Sequence, residues 1–169
     1  MCDDTIRQLA QDALTVFGKR GETLAVAESC TGGMLGAALT AVAGSSAYFL
    51  GGVIAYDNRL KVGLLGVEQK ALDDYGAVSV AVARQMAEGA AQRTGAGVAV
   101  GITGVAGPTG SEGKPVGTVY IAIARGESSR VQKYQFAGDR DAVRTQTVQR
   151  ALELLLGREP NHIPPDTQG

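Results

Sequence analysis

A serine, a lysine and several glycine-rich turns carry the chemistry this sequence can offer. Ser29-Cys30-Thr31-Gly32-Gly33 follows the apolar stretch 23–27 and precedes small and apolar residues from Met34 to Val42, so it reads as a strand-to-helix turn. A helix start leaves backbone N–H groups without acceptors, and hydroxyls beside them suit an anion. The same N–H groups, at Thr31, Gly32 and Gly33, would form an oxyanion hole for attack by Ser29 on a carbonyl. The alternative is a plain helix cap whose glycines allow tight packing. The turn is not the G-x-S-x-G elbow of the α/β-hydrolases, because Ala27 and Thr31 stand where that motif has glycines.

A nucleophilic serine needs a base. The single histidine, His162, lies in a Pro-rich segment beyond the last expected helix, which does not fit Ser-His-Asp chemistry. Lys61, close to Asp57 and Asn58, is either a solvated surface charge or, in a dry cleft with its pKa lowered, the base that histidine does not supply. Tyr56 either packs at a strand end or hydrogen-bonds the base or leaving group. The stretch from Thr103 to Pro115 is rich in Gly and Pro but is not a P-loop. Pro108 stands where that motif needs its first Gly, and Pro115 follows Lys114 where Ser or Thr is required. Gly101, Gly104 and Gly107 also miss the dinucleotide spacing. What remains is a loop whose amides at Gly104 and Gly107, with the hydroxyls of Thr103 and Thr109, either wrap a phosphate or simply turn the chain. Arg140 and Arg144 share a helix face and are either surface charges or a clamp on phosphate or carboxylate.

Composition bounds these options. The chain has 169 residues, 44% hydrophobic and 20% charged, with a formal net charge of -1. That is one folded domain without the basic excess of a nucleic-acid-binding module. No apolar run is long enough for a membrane span and the N-terminus lacks a signal pattern, so the cytoplasm is the expected location. Two Cys and one His fall short of a four-ligand structural zinc site. One disulfide between the two cysteines stays open.

The elements that must position these residues alternate. A helix carries Ile6, Leu9, Ala13 and Phe17 and ends at Gly18 and Gly21. The strand at 23–27 leads into the helix from Met34 to Val42. A second strand, 52–56, precedes a short helix around Lys61. Ser79 caps a helix ending at Gly95, and a third strand spans 98–102. Two strands, 116–124 and 130–136, form an antiparallel hairpin, and Asp139 opens a last helix closed by Gly157. The fold expected is a three-layer α/β/α sandwich on a mixed, mostly parallel sheet over residues 1–157, followed by a Pro-rich, flexible tail at 158–169. If the first three strands are parallel neighbours, the segments after them converge on one site.

Taken together, AESCTGG, GGVIAYDN with Lys61 and then LLGV, YGAVS, ITGVAGPTG, KPVGTVYIA and FAGDRDAVR resemble the C-terminal domain of the CinA (competence/damage-inducible) proteins. They are also similar to its stand-alone form, the nicotinamide-nucleotide amidases. Six motifs in one order, from about residue 5 to residue 156, carry the resemblance. It implies hydrolysis of the carboxamide of nicotinamide mononucleotide to nicotinic acid mononucleotide and ammonia. It further implies an α/β/α sandwich and a dimer or higher homo-oligomer, and no metal or cofactor is expected. The pyrophosphatase activity of the N-terminal domain in two-domain members is expected to be absent here. By the same resemblance Ser29 is the nucleophile and Lys61 its base, with Tyr56 and Thr103 completing the site. The phosphate is expected at the Gly104–Gly110 loop and at Arg140 or Arg144. With few aromatics, ring recognition falls to Tyr48, Tyr56, Phe49 or apolar walls. A non-catalytic nucleotide-binding module and a hydrolase of another small amide or ester stay open on the sequence.

Overall fold

A computed structural model describes residues 3–158. His162 and Cys2 lie outside the described residues. So does the expected tail apart from Arg158, whose guanidinium bonds Asp12 at 2.6 Å.

Five strands form one sheet in the order β2-β1-β3-β4-β5. They are β1 (Leu24–Glu28), β2 (Phe49–Ile54), β3 (Val98–Gly104), β4 (Thr118–Arg125) and β5 (Ser128–Gln135). β1 pairs in parallel with β2 and β3, while β4 is antiparallel to both β3 and β5. Four strands therefore point one way and only β4 opposes them, which is the mixed, mostly parallel sheet expected. The helices are α1 (Asp4–Arg20), α2 (Met34–Thr40), α3 (Asn58–Leu65), α4 (Gln69–Tyr75), α5 (Val80–Thr94) and α6 (Arg140–Leu155). Residues of α1, α2 and α6 cluster on one face of the sheet with Leu24, Val26, Val100 and Ile102. Residues of α3, α4 and α5 cluster on the other, with Ala25, Ala27 and Ala99.

Local chemistry explains the boundaries. The Asp3, Asp57, Ser79 and Asp139 side chains cap α1, α3, α5 and α6 by accepting from backbone N–H groups of the first turn. Gly21 closes α1 in the left-handed conformation, and Gly18 lies inside the helix rather than ending it. The second strand starts at Phe49, earlier than the apolar run suggests, because its ladder with β1 begins at Phe49 opposite Leu24. The hairpin turn shortens to Gly126-Glu127, and α4 and a short 3-10 turn, Ser45–Ala47, add to the expected elements.

Two glycines set how the layers meet. A Cβ on Gly101 of β3 would lie 2.5 Å from the Ala83 carbonyl of α5, so α5 packs directly on the strand backbone. A Cβ on Gly89 would lie 1.8 Å from the Leu65 carbonyl, so α3 rests on α5 only because that side chain is missing. These contacts place α3, and Lys61 with it, under the ends of β1 and β2.

Candidate active site

The chain leaves β1 to form β2 on one side and later returns to form β3 on the other, so β1 is the point where strand order reverses. Crevices beyond the carboxyl ends of such strands are the usual ligand sites of α/β sheets. Glu28 pairs with Ile54 in β2 and with Ile102 in β3, so Ser29 and Ala55, just past β1 and β2, stand level with Thr103 near the end of β3. A cavity of about 280 Å³ opens there, and Ser29, Tyr56, Lys61, Thr103, Gly104, Gly107, Thr109 and Arg140 all line it. The expected convergence of the three segments is what the sheet produces.

Lys61 is the decisive group. It sits in the first turn of α3, is 1% exposed, and its Nζ lies 3.1 Å from Ser29 Oγ, 2.9 Å from the Ala55 carbonyl and 3.1 Å from the Tyr56 carbonyl. It forms no ion pair among the described residues. Asp57 is instead paired with Arg59 at 3.0 Å, and hydrogen bonds from Arg59 hold its carboxyl down at about 2. Burial lowers the Lys61 pKa below its ordinary value, against smaller opposing effects from Asp57, Cys30 and Glu112. Carbonyl oxygens can only accept hydrogen bonds. As an ammonium Lys61 donates to all three oxygens; in its neutral form two protons suffice for the Ala55 and Tyr56 carbonyls, which leaves the lone pair to the Ser29 hydroxyl.

The turn carrying Ser29 is held from both sides. The Ser29 N–H donates to the Ile102 carbonyl at 3.1 Å. Glu28, 1% exposed, reaches across to accept from the N–H groups of Leu35 at 2.9 Å and Gly36 at 3.0 Å. The α2 N-cap, Gly33, has φ 100° and no side chain to cap with, so Glu28 does that work. From the other side Arg144 donates to the carbonyls of Cys30 at 3.1 Å and Thr31 at 3.0 Å.

These contacts correct part of the sequence reading. The anion at the α2 N-terminus is the chain's own Glu28 carboxylate, so that terminus is not open to a ligand. Thr31, Gly32 and Gly33 do not line the cavity. The Gly32 N–H is already bonded to the Ser29 carbonyl at 3.0 Å, and Thr31 is fully buried with its hydroxyl unpartnered among the described residues. Arg144 stands apart from the cavity and braces the turn. Arg140, one helical turn earlier, reaches the mouth, where it donates to the Gly107 carbonyl and, at 3.2 Å, to Tyr56 Oη. Thr103 Oγ1 is committed to the Ala77 carbonyl at 2.8 Å and ties the cavity wall together. Tyr48 lies in the core, stacked on Phe17 with ring centroids 5.2 Å apart, and Phe49 packs beside it against the same core.

The C-terminal domain of CinA matches residues 6–158 of this sequence. This chain belongs to the CinA C-terminal domain family. A CinA-like protein of Geobacter sulfurreducens is 51% identical over 144 residues, covering 85% of this chain and 35% of its own length. One of Citrifermentans bemidjiense is 52% identical over 136 residues, covering 80% of this chain and 33% of its own. The chain thus spans about a third of the length of the curated relatives it matches. Among solved structures, the competence/damage inducible protein CihA of Agrobacterium tumefaciens superposes with TM-score 0.90 at 40% identity, covering 94% of this chain and 98% of that one. A competence-damaged protein (CinA) superfamily protein of Escherichia coli superposes with TM-score 0.88 at 36% identity, covering 92% of each.

In this CinA domain the cavity also has a wall the sequence reading did not assign. Ala77 and Val78, between α4 and α5, line it with Asn58, Ser111 and Glu112. Glu112, at φ 55°, accepts from the N–H groups of Ala77 at 3.0 Å and Val78 at 3.1 Å. Lys114 donates to the carbonyls of Tyr75, at 3.3 Å, and Val78. The loop after β3 is fastened in this way to the segment after α4. The available signal was Glu112 and Lys114 in a stretch otherwise made of small residues. Cys30 also borders the cavity, but burial pushes its thiol up to about 12, so it is no rival nucleophile to Ser29. Among the described residues no helix is long and apolar enough to cross a membrane, and no group of His, Cys, Asp and Glu side chains could hold a metal ion.

Proposed function

We propose that this CinA domain is an amidase that hydrolyses the carboxamide of nicotinamide mononucleotide to nicotinic acid mononucleotide and ammonia. The observation that carries this reading is the buried Lys61 Nζ, 3.1 Å from Ser29 Oγ, with two carbonyl oxygens as its other partners. Burying a lysine is costly, and one whose lone pair is aimed at a serine hydroxyl is a general base.

Neutral Lys61 takes the Ser29 proton as Oγ bonds to the carboxamide carbon. The Cys30 N–H, next to the nucleophile at the cavity and donating to no other residue among the described residues, takes the oxyanion role that the sequence reading gave to Thr31, Gly32 and Gly33. Lys61 returns the proton to the leaving amine, the carbon–nitrogen bond breaks and ammonia departs, leaving an ester on Ser29. Water, deprotonated by Lys61, then attacks that ester and frees the acid and the Ser29 hydroxyl. Tyr56 is the one aromatic side chain among the described residues that lines the cavity and is suited to the ring, while Arg140 and the N–H groups of Ala106, Gly107 and Thr109 are suited to the 5′-phosphate. Exposed Leu50 and Ile54 on edge strand β2, with Leu60 and Leu64 on α3, support a homo-oligomeric contact beside the cavity.

Ammonia release from nicotinamide mononucleotide tests this, with Ser29→Ala and Lys61→Ala alongside. Each variant should lose roughly 1,000-fold or more in kcat while staying folded. Saturable nucleotide binding without turnover by the wild-type protein would overturn the amidase reading in favour of a binding module.

A further inference from the structure

The charged side chains that line the cavity are Lys61, Glu112 and Arg140. Lys61 serves the serine. That leaves one carboxylate and one guanidinium, and they do not neutralise each other, since neither forms an ion pair among the described residues. They are also anchored to different segments. Arg140 is tied at the mouth to Tyr56 and Gly107, whereas Glu112 is tied to Ala77 and Val78. A cavity holding separated charges of both signs suits a ligand that itself carries both.

The Glu112 carboxylate is held in place rather than left to wander. Two consecutive N–H groups fix both of its oxygens, and its backbone adopts φ 55°, a conformation that side-chain-bearing residues rarely take. A Cβ on Gly76 would lie 2.5 Å from Glu112 Oε2, so the neighbouring glycine leaves room for that carboxylate. It lines the same cavity as Ser29 and Lys61, and its carboxylate is the smallest of the three effects that oppose the lowering of the Lys61 pKa by burial.

We propose that Glu112 makes this cavity selective for a carboxamide carried on a cationic ring. This rests on the amidase reading, in which the substrate pairs an N-glycosylated pyridinium with a phosphate. Arg140 then answers the anionic end of a zwitterionic substrate and Glu112 the cationic end. A neutral-ring amide of the same shape forfeits the second attraction, which in a partly solvated site is worth about five-fold in binding.

The test compares two probes that differ in ring charge, 1-methylnicotinamide and nicotinamide, binding to the wild-type protein and to Glu112→Gln. Wild type should prefer the cation by about five-fold, and Glu112→Gln should erase that preference. A uniform weakening of both probes would show that Glu112 only fastens the loop, and an unchanged ratio would show that its charge is idle. Either result overturns the proposal. Ammonia release from nicotinamide mononucleotide and from its reduced, neutral-ring form is measured on the same proteins. Charge selection without turnover would leave this inference standing and sink the amidase reading. Turnover with the same cation-to-neutral ratio in both proteins would do the reverse.

Discussion

The two walls of the cavity are fastened by different means. On the side of β1, α2 and α3, the ties are buried: Glu28 and Lys61 are each 1% exposed, and their partners are backbone groups and, for Lys61, the Ser29 hydroxyl as well. On the side of the loop after β3, the ties run through Glu112, Lys114 and Arg140, which are solvent-accessible to varying degrees and hold main-chain groups of other segments. Hydrogen bonds of buried polar groups are costly to lose, whereas exposed ones are screened and easily exchanged for water. The first wall therefore fixes the reacting atoms, and the second can adjust as a ligand enters.

Breaking the first wall should have the largest effect. Glu28→Ala leaves two helix N–H groups of α2 without an acceptor, so urea unfolding should show a loss of about 3 kcal/mol, with kcat falling far more than KM rises. Gly89→Ala attacks the same wall from below, because the added methyl forces α3 off α5 and carries Lys61 away from Ser29. A stability loss of about 2 kcal/mol is expected, with a fall in kcat that Gly18→Ala, where a Cβ meets nothing, does not show. Arg144→Lys keeps the charge but gives up the fork that spans the Cys30 and Thr31 carbonyls. It should cost about 1 kcal/mol and a few-fold in kcat at unchanged KM. The second wall should respond in the opposite sense. Lys114→Ala should leave the unfolding midpoint within about 0.5 kcal/mol of wild type and raise KM alone. A kcat loss there as large as that of Glu28→Ala would erase the distinction between the walls.

The same contrast explains what could be read from the sequence. Ser29 and Lys61 stood out as candidates because each follows an apolar strand and histidine is scarce, but on the residues alone a helix cap and a surface charge stayed open, and it was the resemblance to CinA domains that paired them as nucleophile and base. The layered fold was legible because helical and strand periods alternate cleanly. Arg140 and Arg144 share a helix face, yet one hooks over the mouth and the other braces the turn. Spacing along a helix gives a direction but not what lies at the end of a long side chain. Glu28 was hidden for a related reason. A helix start followed by glycines advertises an anion site, and nothing in the local pattern says that a carboxylate from the preceding strand already fills it. The wall at Ala77 and Val78 works through backbone N–H and carbonyl groups, which residues of every type but proline carry, so no residue type marks it.

The central claim is that Lys61 works as a neutral amine, and the pH dependence of kcat/KM for ammonia release tests it most directly. Burial lowers the Lys61 pKa from 10.5, so the base is unprotonated over a wider range of pH than an exposed lysine is. The rate should rise with pH through a single ionisation whose midpoint lies clearly below 10.5, and Lys61→Arg, charged throughout, should lack activity across the whole range. A profile that stays flat, or a Lys61→Arg variant that keeps the wild-type rate, would contradict the account.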